Sequence, residues 1–376
     1  MPYLQLIKFN NTTSPLKWEK MSSLLRTIKS TFTPTSSRPA SPPNIFSSSS
    51  AKTFSKAPNE RSLFPPVDPS IDGPDCLQSC QTCTIHLPKS WSIDEEEQLY
   101  GRVNGWATQL LVATGKTDWV RDVAEEEDGK GVLGTIQTGL NSGEFGEEGK
   151  LENGKMLLSA SNMPLPDSHY DSAPITEEKS TSVLLLPSMT FINHVTPSTV
   201  PDMLRFISSQ PTTTTPVSAP HPTFQTLSPP LVPRKCPHRA VILLCSHRTR
   251  DARCGQSAPL LKKEFERHLR HYGLYRDAYD ERPGGVAVYF ISHVGGHKFA
   301  ANVIIYRRGE EWKIDSNEKV IGGEGEEEAT QGIWLGRIRP EDCEGLIKYT
   351  VLKGKVIKPE RQLRGGFDRG KGVISW

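Results

Sequence analysis

Six apolar residues in succession, Ala240 to Cys245 (AVILLC), require a strand covered on both faces, and so a sheet with packed layers on either side. The residues beyond this run read as alternating elements. Ser257 offers an N-cap, Pro259 suits a first turn, and Leu261, Phe265, Leu269 and Tyr272 make one apolar stripe that stops at Gly273, which predicts a helix with both ends marked. Gly285 to Ser292 (GVAVYFIS) reads as a second strand. Ala301 to Arg307 (ANVIIYR) and Glu311 to Ile314 (EWKI) read as a hairpin across Arg308-Gly309-Glu310, and a last helix is expected from near Pro340 through Leu346 to Leu352.

This order of strand, helix, three strands and helix suits a thioredoxin-like α/β layer, a mixed sheet with flanking helices, although other small α/β folds share it. The expected organisation places that layer in residues 235–376, after a second small α/β part at 75–209. In the first part Gln109 to Thr114 (QLLVAT) and Ser182 to Pro187 (SVLLLP) read as strands, and Asp202 to Ser208 as a short helix. Composition sets the remainder. Only 35% of the 376 residues are hydrophobic, too few to pack the whole length, so disordered segments are expected. They are assigned to residues 1–74, to an acidic, glycine-rich insertion at 124–180, and to a Pro/Thr-rich linker at 210–234. A net charge of +2 argues against nucleic-acid binding through bulk charge, and no apolar run is long enough for a transmembrane segment.

Seven cysteines without a secretory signal point to metal or redox use rather than to a disulfide framework. Cys245 closes the first strand of the second part, and Cys254 follows nine residues on in the loop SHRTRDARCG. His293 closes the second strand, and His297 follows in VGGHKF. If the two strands are neighbours, two thiols and two imidazoles emerge at one sheet edge. The His-x3-His pair lacks the glutamate and the helix of a zinc protease, since Val294, Gly295 and Gly296 intervene. A structural Cys2His2 zinc site and a [2Fe-2S] cluster with mixed ligands both remain chemically acceptable, as does a set of buried apolar fillers. Ser257 stands where a Rieske box would need its second histidine, so His247 in Cys245-Ser246-His247 is expected to be an exposed loop residue. Arg248, Arg250 and Arg253, with Lys298, offer either a docking patch for an acidic redox partner protein or ordinary solvated charge.

The strings LLVATGKTDWVRDV (110 to 123), CSHRTRDARCG (245 to 255), HVGGHKFAANVIIY (293 to 306), GIWLGRIRPED (332 to 342) and QLRGGF (362 to 367) resemble the sucrase/ferredoxin-like family. That resemblance implies a thioredoxin-like ferredoxin domain with a [2Fe-2S] cluster on two cysteines and two histidines, which fall here on Cys245, Cys254, His293 and His297. It implies an electron carrier rather than a hydrolase. No pair of carboxylates is placed for cleaving a glycosidic bond.

Three further features carry alternatives. Cys76-x3-Cys80-x2-Cys83 suits a thiol-disulfide oxidoreductase using Cys80 and Cys83, or weak metal binding, although no clear helix follows it. A third reading of the whole chain is a zinc-stabilised interaction domain. The basic, Ser/Thr-rich residues 1–59 suit a mitochondrial presequence or a basic tail. The last residues, Ile374, Ser375 and Trp376, look like the tripeptide by which cytosolic iron–sulfur assembly machinery recognises its clients, which makes the cytosol the alternative, while the family resemblance implies the mitochondrial location expected here.

Overall fold

In the computed structural model, which describes residues 54–166, 178–217, 227–309, 312–317, 319–321 and 328–376, twelve strands make one sheet through both parts of the chain. Short elements come first: β1 (Ser55–Lys56), α1 (Glu60–Leu63) and α2 (Pro69–Asp72). The first half then runs β2 (Thr108–Ala113), α3 (Val132–Asn141), β3 (Met156–Ser161), β4 (Thr181–Leu186), β5 (Thr190–Val195) and α4 (Val200–Ser208), and β6 (Val232–Lys235) forms its outer edge. The second half runs β7 (Ala240–Cys245), α5 (Ala252–His271), β8 (Val286–Ile291) and β9 (Val303–Arg307). The small ribbon β10 (Lys313–Ile314) and β11 (Val320–Ile321) precedes β12 (Gln331–Leu335). The chain ends through α6 (Cys343–Gly345), which continues as a π-helical stretch Leu346–Val351, then α7 (Pro359–Gln362), β13 (Leu363–Asp368) and β14 (Val373–Ile374).

The two halves repeat one topology. In the first, β2 lies parallel to β3 and antiparallel to β4, which pairs with β5. In the second, β7 lies parallel to β8 and antiparallel to β9, which pairs with β12. They meet where the last residues of β3 and β8 pair antiparallel at Ser161 and Ile291. Ser292 N–H donates to Ala160 O at 2.9 Å and Asn162 N–H to Phe290 O at 3.2 Å, so the C-terminal ends of both parallel pairs converge on one junction.

Several sequence expectations give way here. The acidic stretch 124–180 was expected to be solvated, yet it supplies α3, with Val132, Leu133, Ile136 and Leu140 buried, and β3, the strand that joins the halves. Its charges lie in the loops and its sparse apolar residues at helical spacing, a pattern that average composition conceals. Residues 167–177 of that stretch lie outside the described residues. The Pro/Thr stretch 210–234 is partly packed as well: Thr213 is buried and its hydroxyl donates to Trp106 O at 2.6 Å. From Phe54 the N-terminal segment is also ordered, with β1 parallel to β14. The helix expected from Ser257 begins at Ala252, because the Asp251 carboxylate accepts from Arg253 N–H and caps it; Pro259 is tolerated inside. Gly255 in its first turn lies against Arg248, whose side chain a Cβ there would run into. Finally, Lys313 and Ile314 of EWKI pair with β11 rather than with ANVIIYR, since β9 is already held on both edges by β7 and β12.

Two glycines in β13 let the strand pass close to its neighbour. Gly366 has φ +143°, and a Cβ there would run into the Gly332 carbonyl. Gly366→Ala is expected to lower unfolding stability by about 3 kcal/mol in urea titration, from strained backbone and forced separation of β12 and β13.

Candidate metal centre

Cys245 ends β7 and is directly opposite Ile291, so His293, two residues past the register pair, leaves the neighbouring strand beside it. The helix cap at Asp251 places Cys254 in the first turn of α5, turned back toward the strand ends. Both thiols are buried, at 2% and 0% exposure, and His293 is half-buried at the rim. The Cys254 thiol hydrogen-bonds to Cys245, and the His293 imidazole adjoins it. The hydrogen bond from Cys254 pulls the Cys245 thiol well below its ordinary value against the cost of burial, while the same bond and burial push Cys254 up.

A second layer fixes this edge. His247, expected to be exposed, is 1% exposed. Its Nδ1 accepts from His293 N–H at 3.1 Å, so its Nε2–H is the donor toward the carbonyls of Trp119 and Val120 at 3.0 and 3.1 Å. The loop after β7 is thereby locked to the loop after β2. Ser246 Oγ donates to Thr117 O at 2.7 Å, and Thr249 donates through N and Oγ1 to the Asp118 carboxylate. Sequence reasoning missed this bracing because Thr117 to Arg121 lie about 130 residues upstream, beyond any local pattern.

It also missed Arg364. In QLRGGF this arginine is followed by two glycines inside a buried strand, which was the available signal. Its side chain passes beneath the turn between the two histidines, donating to Gly295 O at 3.1 Å, Asn302 Oδ1 at 2.6 Å and Arg102 O at 2.7 Å. Gly295 N–H in turn donates to His293 Nε2 at 3.1 Å. The backbone of His297 opens a short 3-10 turn, His297–Phe299, after Gly296; its imidazole lies outside the described part of the structure. The basic loop residues are engaged: Arg250 donates to Arg121 O, Arg253 pairs with Asp251, and Lys298 with Glu97.

The other cysteines lie elsewhere. Cys236 precedes β7, at the opposite end from Cys245; it is buried, and burial pushes its thiol up to about 11. Cys343 begins α6 and is also pushed up by burial. Cys76 and Cys83 are buried, while Cys80 is half-exposed. Burial raises the Cys83 thiol, which leaves it poorly ionised at neutral pH and opposes fast thiol exchange. The C-terminal residues are docked: Ile374 pairs with both β1 and β13, the buried Ser375 accepts from Gly366 N–H through Oγ, and Trp376 packs on Trp106 with ring centroids 4.6 Å apart.

A mixed α/β sheet whose strand ends carry a buried thiol pair beside an imidazole is a fold with a candidate soft-metal centre. The chain belongs to the sucrase/ferredoxin-like family, whose model matches residues 99–365. It is 32% identical over 305 residues to actin patches distal protein 1 of Saccharomyces cerevisiae, covering 78% of this chain and 84% of that protein. It is 34% identical over 121 residues to altered inheritance of mitochondria protein 32 of Clavispora lusitaniae, covering 32% of this chain and 33% of that protein. A 35% identity over 118 residues links it to the same-named protein of Debaryomyces hansenii, over 31% and 33% of the two chains. No solved structure matches.

Proposed function

We propose that this chain is an iron–sulfur electron carrier whose [2Fe-2S] cluster is bound by Cys245, Cys254, His293 and His297. The observation that carries the reading is the hydrogen-bonded, buried Cys245–Cys254 pair with His293 beside it at the ends of two parallel neighbouring strands. The donor set fits: two buried thiols at one sheet edge supply the soft ligands, and the imidazole lies at the rim. The strand order β8-β7-β9-β12, with α5 linking the parallel pair, supports the thioredoxin-like description of this half.

When bound, the cluster would supply a one-electron centre whose imidazole ligands raise its potential above the roughly −400 mV of all-cysteine plant-type ferredoxins. The protein's own part is positional. His247 holds the His293 backbone, Gly295 N–H orients the imidazole, and Arg364 keeps a buried positive charge beneath the turn. Because His293 is half-exposed while both thiols are covered, the histidine edge is the route by which a redox partner protein would exchange electrons.

The test is an absorption spectrum of anaerobically purified full-length protein followed by voltammetry. Visible bands with stoichiometric iron are expected, and a potential above about −400 mV that falls as pH rises, since an imidazole-ligated site takes up a proton on reduction more readily than a thiolate one. A colourless protein with zinc in place of iron would remove the reading, and a pH-independent potential near −400 mV would remove the histidine ligands. The names of the relatives in two yeasts support a mitochondrial setting. An import assay for it should delete residues 1–53 rather than 1–59, because Ser55 and Lys56 form β1. Since Ile374 to Trp376 are docked in the folded chain, recognition of them by assembly machinery in the cytosol would have to precede complete folding.

A further inference from the structure

Far from the strand-end thiols, Cys80, His268 and Glu344 bring a sulfur, an imidazole nitrogen and a carboxylate oxygen within 4.8 Å of one another. They come from three separate parts of the chain. Cys80 lies in an irregular segment whose backbone is tied to the start of the last helical stretch, Cys80 N–H donating to Glu341 O at 2.9 Å. His268 lies on α5 one turn beyond Glu264, and Glu344 on α6. Glu264 is 1% exposed with its carboxylate 3.5 Å from His268 Nε2, and Cys83 adjoins it. We propose that Cys80, His268 and Glu344 form a zinc site, with Glu264 or Cys83 closing the fourth position.

Thiolate, imidazole and carboxylate together are a donor set that zinc takes tetrahedrally, at bond lengths of about 2.0 to 2.3 Å. Donors already within 4.8 Å of one another need to close by only about an ångström to reach that geometry. The site also asks for a cation. A carboxylate as buried as Glu264 is costly without positive charge, and here the guanidinium of Arg267 supplies it, 2.6 Å from Glu264 Oε2, 3.0 Å from His268 Nε2 and 3.6 Å from Cys80 Sγ. Arg267 is thus a cation standing among the donors, and with 42% of its side chain exposed it can turn to solvent as the metal enters. The proposal is independent of the iron centre: Cys254 and His268 are separated along α5 by roughly 21 Å at 1.5 Å per residue.

The consequence is a metal clip. Between Cys76 and Trp91 the chain has no helix or strand, and its fixings include the Cys80 bond to Glu341 and Trp91 Nε1 donating to Arg253 O at 3.2 Å. Zinc at Cys80 would staple this segment to both α5 and α6.

Full-length protein exposed to zinc, desalted and assayed for zinc and iron together provides the test, alongside trypsin digestion at the exposed Lys89. Wild type is expected to keep a zinc ion that Cys80→Ser and His268→Gln lose with iron unchanged, and zinc should slow cleavage at Lys89 in wild type alone. Glu344→Gln, half-exposed and so tolerated by the fold, should yield its zinc to a chelator at least about tenfold more readily. Zinc content unaltered in Cys80→Ser and His268→Gln, zinc held by Glu344→Gln against the chelator as firmly as by wild type, or zinc lost only in Cys254→Ser, would overturn the site.

Discussion

Cys254→Ser is expected to bleach the protein and remove its iron while leaving it folded. Serine is close in size to cysteine and can still donate toward Cys245 or the helix, so at 0% exposure the cost to stability should stay near ~1 kcal/mol. Serine is a far poorer ligand for iron than a thiolate. Cys236→Ser is the matched control. Cys236 is equally buried but lies at the other end of β7, and that variant should keep full colour and iron. If Cys236→Ser bleaches and Cys254→Ser does not, the ligand set is wrong; if neither does, the thiol pair holds no cluster.

Arg364→Met carries the second large effect, and it acts on the fold. The guanidinium is 2% exposed and donates to Gly295 O, Asn302 Oδ1 and Arg102 O, while stacking 4.7 Å from the Trp334 ring centre and 5.2 Å from that of Phe299. Burial pushes its pKa down to about 10, with the nearby Cys245 pulling it back up, so it remains charged at neutral pH. Methionine fills part of the space but takes the guanidinium's donors from the part-buried Gly295 O and Arg102 O and from the buried Asn302 Oδ1, which keeps only Trp334 Nε1 at 3.4 Å. A loss of roughly 3–5 kcal/mol is expected in urea unfolding. Arg364→Lys should recover only part of it, because an ammonium cannot reproduce the planar fork. An unfolding midpoint unchanged in Arg364→Met would show that the turn carrying the histidines does not depend on this side chain.

The strands that were legible are those with continuous apolar runs. QLLVAT, SVLLLP, AVILLC and GVAVYFIS all lie within or across observed strands, because burial on both faces leaves a mark in the sequence itself. β3 was missed: its MLLSAS carries two serines that are buried and satisfied by tertiary partners, Ser161 Oγ donating to Phe290 O and Ser159 accepting from Gln109. The start of α5 was misplaced because two capping residues compete, and Asp251 rather than Ser257 is the one free to sit outside the helix. At the candidate centre, the spacing of Cys245, Cys254 and His293 was visible. Arg364 and His247 were not assignable, since a buried arginine or histidine is explained only by acceptors contributed from distant segments.

By itself, then, the sequence determined the chemistry on offer: thiols and imidazoles at strand ends, an N-terminal cysteine cluster, and enough apolar runs for a mixed sheet. Tertiary structure decided which of these groups meet. Local patterns reach one turn of helix or one neighbour in a strand, whereas a sheet pairs segments more than a hundred residues apart, as at Ser161 and Ile291. That pairing makes two halves one sheet, locks the loop of His247 to that of Trp119, and lays Cys80 against His268 and Glu344.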